Sequence, residues 1–493
     1  MRRLRQPICL RSSHYLMART SARLILPVLC VLMSARAASA QDAALVIAEA
    51  SRMIGASELN SITYSGNAAQ GNFGQSRTIT FGIASTSIRN YTRTIDFTKS
   101  AALITGDTMP PAVRGGPPPQ PGQLRQLITP DAPWAQQLQI WVTPWGFLRG
   151  AAANHGTVRS QKIDGEPYRV VTWTTPQKAP SGVPYKLVGY INASNLIDRV
   201  ETWVDHPVLG DEHLEFFYSD YRDLGGVRAP LRVTQKQVGM ETFVATTATA
   251  RANPPDLAAL MTPSPSAGSA PPAAPLPPAA SERLADGVYR IAGGYVSMAV
   301  EFRDFVVVLE GGQSDARGQA ILAETKRLFP NKRIRYVVNT HPHFDHAGGL
   351  GPFIADGITV LADDNAKYFL EQAFGTPRTL VGDTLAKSKK KPKVEGVVEK
   401  QVVTDGARSL ELHHVAGLEH SDSMLIAYLP KEKILFCADF RLPGDQPDPS
   451  LVTLRENIDR LQLDVDRVVM VHAPNPDRPV TKADLLGSEK GTN

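Results

Sequence analysis

Apolar and polar positions follow two different rhythms along the 493 residues. In the first half, Ser76–Phe81, Tyr168–Trp173, Lys186–Tyr190, Arg199–Trp203 and Leu231–Thr234 alternate polar with apolar or β-branched side chains. Period-two alternation broken by Gly, Asn and Asp predicts antiparallel strands. Only Ala44–Met53 has clear helical spacing there. The second half reads differently. Phe305–Leu309 is a continuous apolar run, Asp315–Leu328 has the spacing of an amphipathic helix, and Ile334–Val338 is again strand-like. Strand, helix and strand in succession predict a layered α/β domain.

Proline marks the divisions. Pro110–Pro121 reads as a surface loop within a domain, whereas 254–281 holds nine prolines among Ala and Ser, the composition of an extended, semi-rigid spacer. The expected organisation is therefore a leader (1–40), a β-rich domain (41–253), a linker (254–282) and an α/β domain (283–493). A spacer of this kind also predicts that 283–493 folds by itself.

Charge changes the picture only at the start of the chain. The formal net charge is +5, but residues 1–40 carry seven arginines and no acid, and the remainder has 46 basic against 48 acidic side chains. A nucleic-acid partner is not expected from that balance. The leader has a basic start, an apolar core at Leu24–Met33 and the small residues Ala38-Ser39-Ala40, the pattern of a secretory signal cleaved after Ala40. The reading is a periplasmic or secreted protein, with Met17 as an alternative start. Cleavage would leave Cys437 as the single cysteine, so no internal disulfide is expected.

Directly after the strand Ile334–Val338 comes Thr340-His341-Pro342-His343-Phe344-Asp345-His346. Neutral imidazoles and a carboxylate are what a borderline cation such as zinc takes as ligands. Four such groups in six residues crowd a single tetrahedral ion, so two ions sharing the cluster fit better. No phosphate-binding glycine loop, dinucleotide fingerprint or serine-nucleophile elbow occurs in the chain.

The His-x-His-x-Asp-His run resembles the signature of the metallo-β-lactamase-fold hydrolases, and the resemblance covers about residues 284–493. It implies an αββα sandwich, preceded here by a separate, mainly antiparallel β domain. Three further ligand positions are implied. Gly417–Ser423 is similar to the family's third motif with His420 as ligand, the hairpin 425–439 ends on Asp439, and Arg467–His472 ends on His472. His413 and His414 are the alternatives to His420, but they fall inside the strand rather than in the loop beyond it. The resemblance assigns His341, His343 and His420 to one ion and Asp345, His346 and His472 to the other, with Asp439 bridging. Asp345 would also orient the nucleophile. Departures from the family pattern are Ala473-Pro474 after the last His and Cys437-Ala438 before the bridging Asp.

The implied activity is hydrolysis of a small-molecule ester, lactone, thioester, amide or phosphodiester through a hydroxide shared by two Zn2+ ions, with iron or manganese as alternatives. His343 argues against flavo-diiron oxidoreductases, which carry Glu there. A β-lactamase proper remains an alternative, as do a single-iron persulfide dioxygenase and a lipid- or peptide-binding module with an accessory metal domain. The strand order of the first half is faintly similar to periplasmic lipoprotein-carrier β domains. All five Trp lie there, at 134, 141, 145, 173 and 203, as core residues or as the wall of a groove for a hydrophobic ligand. Cys437 reads as a small buried residue rather than a metal neighbour, and Lys387–Lys393 as a solvated loop or a lure for anionic substrates. Arg378, Tyr368, Phe369 and Phe374 belong to a predicted helix whose side chains pack or line the pocket.

Overall fold

The computed structural model describes residues 42–79, 82–112, 118–262, 277–440, 442, 449–475 and 477–486. The expected leader, about half of the proline-rich linker (263–276) and part of the Pro110–Pro121 loop lie outside these residues.

The first half is one eleven-stranded antiparallel sheet, running in space from Gly122–Ile128 at one edge to Thr157–Ile163 at the other. Its chain closes on itself, because Ser61–Gly71 pairs with Met240–Ala252. Helix 42–53, with Trp134–Trp141 and Pro144–Ala153, fills one side of the sheet. Their apolar faces share a core that contains Trp134, Trp145 and Trp173, each 4% exposed or less. Those three tryptophans are packing residues. Gly150 has no room for a side chain, since an added Cβ would lie 2.4 Å from the Trp173 ring.

Of the expected strand Ser76–Phe81, the described residues 76–79 are not part of this sheet, and residues 80 and 81 lie outside the described residues. Phe73–Gln75 forms a turn of 3-10 helix and 76–79 is irregular. The alternation there is real, but the buried residues Phe73 and Ile79 pack into the core of the second half. A period-two pattern reports which side chains are buried, not what buries them.

The second half is a four-layer αββα sandwich. A seven-stranded sheet begins as antiparallel hairpins (Ala280–Ala285, Val288–Ala292, Ser297–Glu301, Phe305–Leu309) and continues in parallel through Arg333–Val338, Thr359–Asp363 and Val394–Val397. Its first strand begins at Ala280, so the expected linker gives up its last residues to the sheet. Facing it, a six-stranded sheet carries Ser409–His414, Leu425–Leu429, Ile434–Cys437 and Arg467–Met470. One core lies between the sheets and includes Leu454 and Ile458 of helix Pro449–Arg460. The other lies between the first sheet and the helices Asp315–Leu328, Leu350–Asp356 and Asp364–Gly375.

That outer core also contains Phe73, Ile79, Val208 and Leu209 from the first half. The two halves are therefore not independent bodies joined by a spacer. Arg378, buried against Asp383, donates to the carbonyls of Pro207 (2.7 Å) and Val208 (3.4 Å), while Asp211 accepts from the backbone N–H groups of Thr379 and Leu380. Arg378 thus clamps the halves together. Phe369 and Phe374 are core residues, and Tyr368 is exposed.

Candidate metal centre

Every residue of the cluster stands just beyond the C-terminal end of a strand. His341–His346 follows Arg333–Val338, His420 follows Ser409–His414, Asp439 follows Ile434–Cys437 and His472 follows Arg467–Met470. Strand ends at one edge of layered α/β sheets are where loops converge on a crevice. Backbone bonds fix the spacing, with Leu425 N–H donating to the Thr340 carbonyl and Val471 N–H to the Cys437 carbonyl.

The structure brings all seven side chains together. His341, His343, His420 and Asp439 form one group and Asp345, His346 and His472 another, with the ligand-type atoms of each within 4.8 Å of one another. Asp439 lies between them. Its Oδ2 is 2.8 Å from His420 Nε2 and 3.6 Å from His341 Nε2, while its Oδ1 is 2.9 Å from both His346 Nε2 and His472 Nε2. Asp439 holds a positive φ of 59°, a backbone cost of roughly 1–2 kcal/mol for a residue with a Cβ. Strain at such a position is tolerated where the side chain's aim matters.

The outer nitrogens of the rings decide where the inner lone pairs point. His343 Nε2 lies 3.1 Å from the Ser76 carbonyl, which can only accept, so that nitrogen carries the proton and Nδ1 turns its lone pair inward. His346 Nδ1 lies 3.4 Å from the Glu310 carboxylate with the same consequence for its Nε2. Thr340 donates its hydroxyl to Glu310 at 2.6 Å, leaving its oxygen to accept from His341 Nδ1 at 3.2 Å. The result is that His341 Nε2 and His343 Nδ1 face each other at 3.0 Å, and His346 Nε2 faces His472 Nε2 at 3.3 Å. Converging lone pairs with their outer nitrogens hydrogen-bonded are the arrangement a cation requires.

Electrostatics point the same way. Burial, then the neighbouring imidazoles, hold His341 well below the ordinary imidazole value; burial and His420 lower His343 to about 4. Burial also opposes a charge on His346, yet the Asp439 and Glu310 carboxylates on either side overcome it and raise the ring to about 10. A positive charge is thus favoured where the second group converges. Asp345 is lowered despite its burial, through His346 and hydrogen bonds from Tyr295 (2.7 Å to Oδ2) and Gln75 (2.6 Å to Oδ1). Tyr295 is in turn held by Arg317, whose guanidinium donates to the Ile291, Ala292 and Tyr295 carbonyls.

Glu310, Tyr295, Gln75 and Ser76 belong to no short motif and were not singled out by sequence. A weak signal existed for Glu310, a charged residue closing the apolar run 305–309. His413 and His414 stay outside the cluster, bonded to Glu411 (2.9 Å) and Asp363 (2.6 Å). Cys437 is buried in the inter-sheet core, and burial pushes its thiol up to about 12. A third group, Glu201, His213 and Glu215, lies on the N-terminal sheet, but Arg199 already pairs with both of its carboxylates, at 3.1 and 3.6 Å. A cavity of about 750 Å³ opens on His420, Asp439 and His472, with Phe440, Leu442 and Met470 in its wall.

Residues 291–472 match the family model of the Metallo-beta-lactamase superfamily. No curated protein matches the chain. Among solved structures, a metallo-beta-lactamase from Pontibacter korlensis is similar at 17% identity and a TM-score of 0.32, over 42% of this chain and 95% of its own. The DIM-1 metallo-beta-lactamase is similar at 15% identity and a TM-score of 0.34, over 43% of this chain and 95% of its own.

Proposed function

With residues 291–472 a metallo-beta-lactamase superfamily domain, we propose that the chain is an exported dinuclear-zinc hydrolase. The observation that supports this reading best is Asp439, whose two oxygens each face a separate set of imidazoles. His341, His343 and His420 would hold one ion, Asp345, His346 and His472 the other, and Asp439 both. Two such cations, when bound, acidify a shared water and polarise the scissile carbonyl or phosphoryl group.

The chain's own groups prepare that chemistry. Glu310, Thr340 and the Ser76 carbonyl fix the ring tautomers. Asp345, held at both oxygens by Gln75 and Tyr295, is placed to orient the attacking water. Tyr295 stays protonated, because burial and then Asp345 raise its pKa, so it acts as a donor and not as a base. The cavity beside Asp439 and His472 is of the size that takes a small molecule.

The substrate class is an ester, lactone, thioester, amide or phosphodiester. The test is purification with metal quantification, followed by chromogenic esters, lactones, phosphodiesters and cephalosporins. Zinc-dependent turnover of any of the first three classes supports the reading; turnover of cephalosporins alone would make the chain a β-lactamase proper. No zinc and no turnover would reject it. For the N-terminal half, the candidate seat of an apolar ligand is a cleft of about 760 Å³ lined by Ile47, Phe97, Trp141 and Leu148. Among the described residues, no helix is long and apolar enough to cross a membrane. Export predicts a mature protein starting at Gln41, and mass spectrometry finding Arg36 retained would contradict it.

A further inference from the structure

We propose that the N-terminal domain completes the metal centre: Phe73–Ile79 is a strap that positions ligands of both ions. The inference rests on the dinuclear reading above and adds a part of the site that lies more than 250 residues away in the chain.

The strap touches two ligand loops at once. At the first loop, the Ser76 carbonyl accepts from His343 Nε2 at 3.1 Å and Gln75 Nε2 donates to Asp345 Oδ1 at 2.6 Å. Phe344, between those two ligands, packs edge-on against Phe73 at 5.7 Å and against His206 at 4.5 Å. At the second loop, which carries His420, Arg77 reaches Glu419 at 3.4 Å. The Arg77 carbonyl accepts from Asp422 N–H at 3.0 Å, and the Thr78 hydroxyl donates to the Asp422 carboxylate. Phe73 and Ile79, both buried, anchor the two ends in the outer core.

The contacts divide between the two ions. Ser76 sets the tautomer of a residue in the first group, and Gln75 holds the carboxylate of the second. Outer-sphere partners of this kind typically change metal affinity by about 10–100-fold when removed. Neither group touches the centre of the cluster directly, so both are positioning residues.

Two substitutions separate the roles. Gln75→Leu keeps the shape of an exposed side chain and removes only the donor to Asp345. Gly74→Ala lifts the whole strap, because an added Cβ would lie 2.2 Å from the Phe344 ring, which Phe73 and His206 hold in place. Ser87→Ala, at an exposed position of the N-terminal sheet, is the control. Zinc is titrated into each full-length metal-free protein against a chelator, and thermal unfolding of the metal-free form is followed in parallel. Gln75→Leu should weaken one of the two binding stages about 10–100-fold with the metal-free unfolding temperature unchanged. Gly74→Ala should weaken both stages, and Ser87→Ala neither.

If the unsubstituted protein takes up no zinc, the dinuclear reading itself fails. If it takes up two ions and both Gln75→Leu and Gly74→Ala bind them as tightly, the strap has no positioning role and the inference is overturned. Equal weakening of both stages by Gln75→Leu would overturn the division between the ions.

Discussion

Asp439 is the residue on which the two halves of the cluster depend. A carboxylate between two dications screens their repulsion, so its loss removes more than one bond. Asp439→Ala should lower bound zinc from about two ions to one, with hydrolysis at pH 7 falling by orders of magnitude; metal analysis and a rate assay check both. His413→Ala should leave the metal count unchanged, since that ring is committed to Glu411, while His420→Ala should not. Metal loss in the former without loss in the latter would reverse the assignment. Tyr295→Phe removes one hydrogen bond to Asp345 and should lower kcat by about 10–100-fold, with the fold retained by circular dichroism. The seven residues of the cluster were legible in the sequence because each sits at a short fixed spacing or at the end of a recognisable strand. Glu310, Tyr295 and Gln75 were not, because nothing in their immediate neighbours announces a role that arises only when distant segments meet.

Among the secondary-structure elements, those with a strong period were read correctly, to the residue for the helix Asp315–Leu328. Its N-cap Ser314 accepts from Arg317 N–H, and Asp315 and Lys326-Arg327 suit the two ends of its dipole. The described part of the expected strand Ser76–Phe81, residues 76–79, is irregular, and its apolar residue Ile79 is covered by the other half of the chain. A contact between the strand ends Asp363 and His414 also joins the two sheets of the sandwich, at 2.6 Å. Asp363 raises the His414 pKa in the folded protein, with burial opposing it. A raised imidazole contributes stability that is fully present below the unfolded value, about 6.5, and lost as pH rises through the folded value. The stability advantage of the native chain over His414→Ala should therefore be larger at pH 6 than at pH 9. Urea unfolding of the metal-free proteins measures it; a difference that grows with pH would contradict the account.

At the scale of the molecule, the division into a β-rich and an α/β half was legible from hydrophobic rhythm and proline content, but their interdependence was not. Composition describes the connection between 254 and 281; it is silent on surfaces that meet elsewhere. Phe73, Ile79, Val208 and Leu209 each bury an apolar side chain in the outer core of the second half, worth roughly 1.5–3 kcal/mol apiece. Their combined loss is on the order of a whole domain's stability, about 5–15 kcal/mol. Residues 283–493 expressed alone should therefore be poorly soluble or lack cooperative unfolding, and a fragment as stable as the full chain would show that the shared core is dispensable.

The central claim is that two ions sit in one cluster with Asp439 between them. Crystals of the zinc-loaded full chain, with diffraction recorded on both sides of the zinc absorption edge, test it most directly. The account predicts two anomalous peaks per chain, one ligated by His341, His343 and His420, the other by Asp345, His346 and His472, both touching Asp439. A single peak, or a peak ligated by His413 in place of His420, would contradict it.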